Sequence, residues 1–97
     1  MVTKAIMAVL VAKDGMQAEV EAFLQSAKPI VDAEPGTITW YAIRLDDTNY
    51  GIFDTFENQT GQDIHLHGKI AEALQKEAPR LFATTPIIQS YDVLAEK

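Results

Sequence analysis

The chain has 97 residues, of which 47% are hydrophobic and 23% are charged. This composition is typical of an ordered globular protein, and the length leaves room for one core, so we expect a single domain over residues 1–97. The formal net charge is −6, and the eight Lys and Arg residues are spread along the chain, which argues against nucleic acid as a partner. The absence of cysteine excludes disulfides, thiolate nucleophiles and cysteine-type zinc sites.

Residues 4–12 form the first predicted strand, and nearly all of them are apolar. Because both alternating sets of side chains are apolar, both faces of this strand must be covered. The stretch is much shorter than the ~20 residues that a membrane helix needs, and it lacks the features of a signal peptide. We therefore expect a cytoplasmic protein with no membrane partner.

An amphipathic helix is predicted next. Asp14 offers an N-cap with Gln17 in the capping-box position, and apolar residues then follow at helical spacing. Pro29 lies within this pattern and has no N–H to donate to the carbonyl of Gln25, so we expect a kink there. The helix should end before Pro35-Gly36.

The rest of the chain predicts a hairpin, a broken helix and a last strand. Residues Thr37–Arg44 and Asn49–Phe56 are rich in β-branched and aromatic side chains, and the polar segment LDDTN between them favours a hairpin. A second helical region runs from about residue 60 to about residue 78 and is interrupted near Gly68. The last strand is expected at Ile87–Leu94.

This order, βαββαβ, predicts an α+β sandwich of the ferredoxin-like kind. Two helical regions cover only one face of four strands, and an exposed apolar second face would exceed the few hundred Å² that monomers usually tolerate. We therefore expect a homodimer formed through the sheet face. Trp40 and Tyr41 are adjacent in a strand, so one should face the helices and the other the partner.

Four segments carry a resemblance to a known family. They are the apolar first strand, the EPGT turn at Glu34–Thr37 leading into TITWYAIR, the hairpin into YGIFDTF, and a helix with HLHG at His65–Gly68. In this order they resemble the antibiotic biosynthesis monooxygenase family, and the resemblance covers nearly the whole chain. It implies a dimeric α/β barrel in which dioxygen oxidises a small aromatic, such as a quinol, an anthrone or a polyketide-like compound, without a cofactor.

The resemblance also implies the site residues. The family pattern has an acidic and an aromatic residue at the end of the third strand, here Asp54 and Phe56, and a histidine on the following helix, here His65. His65 is expected as the catalytic proton acceptor, because its ordinary pKa of about 6.5 suits neutral pH. Trp40 and Phe56 are expected as pocket walls, Asp54 as an orienting group, and His67 as a further substrate contact.

Two features argue against haem degradation. The aromatic position of the third strand is commonly tryptophan in the family and is phenylalanine here. The asparagine that haem-degrading relatives carry in the first strand is absent.

Other interpretations of these residues remain open. His65 can be a boundary histidine with one structural hydrogen bond, and pairing of Asp54 with Arg44 across the hairpin is the favoured alternative for that carboxylate. His65 and His67 point about 200° apart on a helix, so they can share a metal only if that turn is unwound, and we expect no metal site. The alternative function is a non-catalytic dimeric α/β barrel that binds a small apolar molecule.

Overall fold

The computed structural model describes all 97 residues, Met1–Lys97. Its elements in chain order are β1 (Lys4–Val11), α1 (Gln17–Ser26), α2 (Lys28–Asp32), β2 (Thr37–Arg44), β3 (Asn49–Phe56), α3 (Gln59–Leu66), α4 (Lys69–Leu81) and β4 (Ile87–Asp92). The strands form one antiparallel sheet in the order β2-β3-β1-β4. The predicted ferredoxin-like α+β fold is confirmed. No helix is both long enough and apolar enough to cross a membrane.

The hydrophobic core lies between one face of the sheet and the helices. Alternate residues of β1 and β3 point to this side, where side chains from α1 and α4 cover them and exclude water. The main cluster contains Ala8, Leu10, Ala12, Val20, Leu24, Tyr50, Ile52, Leu74, Leu81 and Phe82.

The opposite face of the sheet, which we call the outer face, is apolar and uncovered within the chain. By strand register it carries Met7, Val9, Tyr41, Ile43, Phe53, Ile87 and Tyr91. The last five of these residues are exposed. Trp40 and Tyr41 lie on opposite faces as predicted, with Trp40 packed against the core on the helix side and Tyr41 exposed on the outer face.

Some helix boundaries differ from the prediction. The proposed N-cap at Asp14 is wrong, because Gly15 adopts a φ of 77° and turns the chain before α1 begins at Gln17. The kink expected near Pro29 is present as a division between α1 and α2. Pro29 stands in the first turn of α2, where a backbone N–H has no helical partner to lose.

The second helical region and the last strand also differ slightly. The break near Gly68 is confirmed, because this residue precedes α4 as its N-cap. α3 begins at Gln59, close to the predicted residue 60, and the Asn58 side chain caps it by accepting a hydrogen bond of 3.0 Å from the Gly61 N–H. β4 ends at Asp92 rather than Leu94, which is almost fully exposed.

Candidate active site

His65 lies between two carboxylates on the helix side of the sheet. Its Nδ1 is 2.6 Å from Oε1 of Glu34, and its Nε2 is 2.8 Å from Oδ2 of Asp54. His65 is 8% exposed and Asp54 is 1% exposed. Three titratable side chains from the turn after α2, from β3 and from α3 therefore form one largely buried cluster.

The close approach of α3 to the EPGT turn places His65 beside Glu34. A Cβ atom added to Gly61 would lie 2.9 Å from the carbonyl oxygen of Gly36, so only glycine permits this backbone contact. His65 lies four residues after Gly61 and therefore on the same side of α3. The Thr37 hydroxyl donates to Oε1 of Glu34 at 2.9 Å, which holds the carboxylate toward the ring.

Asp54 and Phe56 both approach His65 from β3. The Phe56 side chain is fully buried, and its ring centroid lies 5.3 Å from that of His65 with an angle of 47° between the planes. The suggested pairing of Asp54 with Arg44 is wrong. Arg44 instead contacts Glu21 of α1, at 2.7 Å between Nη2 and Oε1.

Two buried polar groups at this site have no hydrogen-bond partner. Oδ2 of Asp54 forms the ion pair with His65 Nε2 at 2.8 Å, and Oδ1 of Asp54 has no hydrogen-bond partner. The buried indole N–H of Trp40 also has no acceptor. Such a group costs about 1–3 kcal/mol, so each one calls for an explanation, and a catalytic role is among those that apply.

The neighbouring carboxylates control the charge of His65. Burial by itself lowers the pKa of His65, but the contacts with Asp54 and then Glu34 outweigh burial and raise the pKa above its usual 6.5. The raised pKa favours the imidazolium form, in which both ring nitrogens carry a proton and each lies within 2.8 Å of a carboxylate oxygen. A proton acceptor needs a free ring nitrogen, so Asp54 is a second candidate for that role beside His65.

A small inner cavity of about 40 Å³ lies beside the cluster. Asp54, His65 and Trp40 are its polar lining, and the remaining residues are apolar: Ile6, Ala8, Ile52, Leu66, Ile70, Ala71, Leu74 and Ile88. A larger groove of about 410 Å³, which we call the α4–β4 groove, shares Leu66, Ala71, Leu74 and Ile88 with this cavity and extends past Ala78 to Pro86. The cavity and the groove are therefore adjacent parts of one apolar region.

The largest cleft, of about 520 Å³, lies on the other side of Trp40. Its charged groups are paired with one another or with neighbours: Arg44 with Glu21, and Lys28 with Asp32 at 2.6 Å. The Tyr50 hydroxyl also donates to Glu21 at 2.6 Å. We therefore place the candidate site at the inner cavity, where polar groups are left without partners.

The structure brings together four of the five predicted site residues. His65, Asp54 and Trp40 line the inner cavity, while Phe56 packs on His65 behind it. His67 lies apart, because it is exposed and its Nδ1 is 2.8 Å from the carbonyl oxygen of Asp63. No group of three or more His, Asp or Glu side chains is arranged to hold a metal ion.

Glu34 is the site residue that the sequence did not single out. It stands 31 residues before His65, and no periodicity connects the two. The sequence signals for this contact are the EPGT turn, which contains Glu34, and the HLHG segment, which contains His65. The two segments are separate in the sequence and packed together in the structure.

Solved structures provide the comparison with known proteins. NE2512 from Nitrosomonas europaea, a protein of unknown function, is 38% identical, with a TM-score of 0.97 over 100% of this chain and 94% of that chain. A candidate antibiotic biosynthesis monooxygenase from Caulobacter crescentus is 18% identical, with a TM-score of 0.81 over 97% and 92% of the two chains. A further candidate from Nitrosomonas europaea is 11% identical, with a TM-score of 0.83 over 95% and 90%.

No family model and no curated protein matches the chain. The resemblance to the antibiotic biosynthesis monooxygenases is confirmed in the fold, which these structures share from end to end. The chain belongs to the same family as NE2512 of Nitrosomonas europaea and has the fold of the antibiotic biosynthesis monooxygenases.

Proposed function

We propose that this protein is a cofactor-independent monooxygenase that oxidises a small aromatic, such as a quinol, an anthrone or a polyketide-like phenol. The observation that carries the proposal is the buried Asp54 carboxylate, whose Oδ1 has no hydrogen-bond partner at the wall of a largely apolar cavity. A deprotonated substrate of this class is electron-rich enough to reduce dioxygen itself. The protein must then supply a proton acceptor and a site that excludes water.

In the proposed reaction Asp54 accepts the proton, and His65 positions the carboxylate through the contact of 2.8 Å between Nε2 and Oδ2. With an anthrone, the CH₂ carbon takes one oxygen atom of O₂ and becomes a carbonyl. The other oxygen atom leaves as water with the two hydrogens of that carbon, so no external reductant is consumed. The fold shared with candidate monooxygenases supports this reaction class.

Oxygen uptake with a panel of anthrones and reduced naphthoquinones tests the proposal. After subtraction of the reaction without protein, we expect uptake with the native chain and a loss of about 10²-fold or more in Asp54→Asn, because a positioned proton acceptor contributes about that much. His67→Ala is the matched control and should keep the native rate. Absence of uptake by the native protein across the whole panel would refute the proposal.

We also propose that the protein is a homodimer joined through the outer face. Tyr41, Phe53, Ile87 and Tyr91 are exposed on that face, and an apolar surface of this kind is stabilised by burial against a second sheet. We expect a dimer at micromolar concentration by sedimentation equilibrium. Phe53→Glu, in the central strand β3, should give a monomer, whereas Ile64→Glu on α3 should remain dimeric. A monomeric native protein would refute this arrangement.

One observation favours the non-catalytic alternative, in which the cluster is structural and a small apolar molecule binds only in the α4–β4 groove of about 410 Å³. The inner cavity of about 40 Å³ is smaller than the ~150 Å³ that accommodates a benzene molecule. Saturable binding of aromatics without oxygen uptake would favour this second function.

A further inference from the structure

The inner cavity is too small for an aromatic ring, but the adjacent α4–β4 groove is large enough. The α4–β4 groove has a volume of about 410 Å³, which lies within the ~300–1,000 Å³ of typical small-molecule sites. Its boundary with the inner cavity is formed by apolar side chains, among them Ala71, Leu74 and Ile88. A ring in the groove therefore lies next to the cavity that contains Asp54.

The two unpartnered polar groups have complementary hydrogen-bonding abilities. Asp54 offers Oδ1, a carboxylate oxygen that only accepts, and the indole of Trp40 offers an N–H, which only donates. The two residues stand directly opposite each other on β2 and β3 and point to the same side. A hydroxyl group is the simplest single group that can donate to Asp54 and accept from Trp40.

Other chemical groups match this pair less well. A hydrocarbon edge leaves both polar groups unpaired, which carries the full cost of their desolvation. A carboxylate has no proton to donate and brings a second negative charge next to Asp54. The larger cleft also touches Trp40 but has no unpaired carboxylate, since its one acidic residue, Glu21, binds Arg44.

We propose that the ligand is a neutral hydroxylated aromatic whose ring lies in the α4–β4 groove, and whose hydroxyl enters the inner cavity to donate to Asp54 and accept from the Trp40 indole N–H. This inference rests on the proposed function in taking an aromatic as the ligand. It adds that the ring approaches Asp54 from the α4–β4 groove and that the site selects a hydroxyl group.

Trp40 is the one tryptophan of the chain, so its indole N–H gives one signal in a ¹H–¹⁵N spectrum. The probes are 1-naphthol, naphthalene and 1-naphthoate, titrated without oxygen at pH 7. We expect 1-naphthol to shift the indole signal and to bind at least tenfold more tightly than the other two. Equal affinities for 1-naphthol and naphthalene would overturn the role of the polar pair.

A pair of variants on α4 tests the position of the ring. Ala71 lines both the groove and the inner cavity, whereas Ala73 lines neither. Ala71→Phe should weaken 1-naphthol binding at least tenfold, and Ala73→Phe should bind as the native protein does, with both variants folded by circular dichroism. Native binding by a folded Ala71→Phe would overturn the placement in the groove.

Trp40→Phe removes the N–H and keeps an aromatic ring. By calorimetry, we expect it to reduce the preference for 1-naphthol over naphthalene, and an unchanged preference would remove Trp40 from the site. The inference and the proposed function can fail separately. Binding of 1-naphthol without oxygen uptake on the anthrone panel refutes the function alone, whereas native oxygen uptake by Ala71→Phe refutes this inference alone.

Discussion

Replacing His65 with alanine should destabilise the protein by about 3–5 kcal/mol at pH 7, because removing one partner of a buried ion pair leaves the other charge uncompensated. Asp54 is 1% exposed and has no other partner for its oxygens. Glu34 is less affected, since its side chain is 14% exposed and keeps the hydrogen bond from Thr37. Most of the loss should therefore arise at Asp54.

Urea unfolding followed by circular dichroism and by Trp40 fluorescence measures this loss. A small domain changes its free energy of unfolding by about 1–3 kcal/mol per molar urea, so the midpoint should fall by roughly 2 M. His67→Ala, an exposed histidine on the same helical segment, is the control and should change stability by less than about 0.5 kcal/mol. All variants are compared at one protein concentration, since dimerisation makes stability depend on concentration.

A double variant separates the charge from the lost packing on Phe56. Adding Asp54→Asn to His65→Ala removes the buried charge and should recover part of the stability, whereas independent effects would simply add. A loss below about 1 kcal/mol in His65→Ala, or no recovery in the double variant, would refute the uncompensated charge as the cause.

Three further predictions follow from the same contacts. The pKa of His65 is raised on folding, so its stabilising contribution is fully present below pH 6.5 and is lost as pH rises through the folded pKa. The stability difference between the native protein and His65→Ala should therefore shrink from pH 6 to pH 9, and a constant difference would contradict this. Gly61→Ala places a Cβ 2.9 Å from the Gly36 carbonyl oxygen and should cost about 1–3 kcal/mol in urea unfolding, with a changed His65 ring signal in NMR. Asn58→Ala removes the side-chain cap of α3 and should cost about 1 kcal/mol in the same assay, so an unchanged midpoint would show that the cap does not contribute.

The strands could be predicted because their signals are local. β2 and β3 occupy the predicted residues, since runs of β-branched and aromatic side chains are bounded on both sides by turn residues. The start of α1 could not be predicted, because the capping-box pattern at Asp14 does not reveal that Gly15 adopts a left-handed conformation.

The site was predicted in part for a similar reason. Strand alternation is enough to place Trp40 and Tyr41 on opposite faces and Asp54 and Phe56 on one face, and the family pattern supplied His65. The contact of His65 with Glu34 depends on the close approach of the Gly36 and Gly61 backbones. A glycine at either position does not by itself predict a long-range contact.

The wrong expectation about Arg44 leads to a conclusion about the charge of the site. Arg44 stands opposite Tyr50, and Asp54 stands opposite Trp40, so the arginine and the aspartate are four residues, or roughly 13 Å, apart along the strand. Glu21 binds the guanidinium, and Asp54 is left with His65 as its cation. Arginine is charged at every physiological pH, whereas an imidazolium loses its charge when it gives up a proton. The cation that faces Asp54 is therefore a group that titrates, and a proton gained or lost by His65 changes the charge of the whole site.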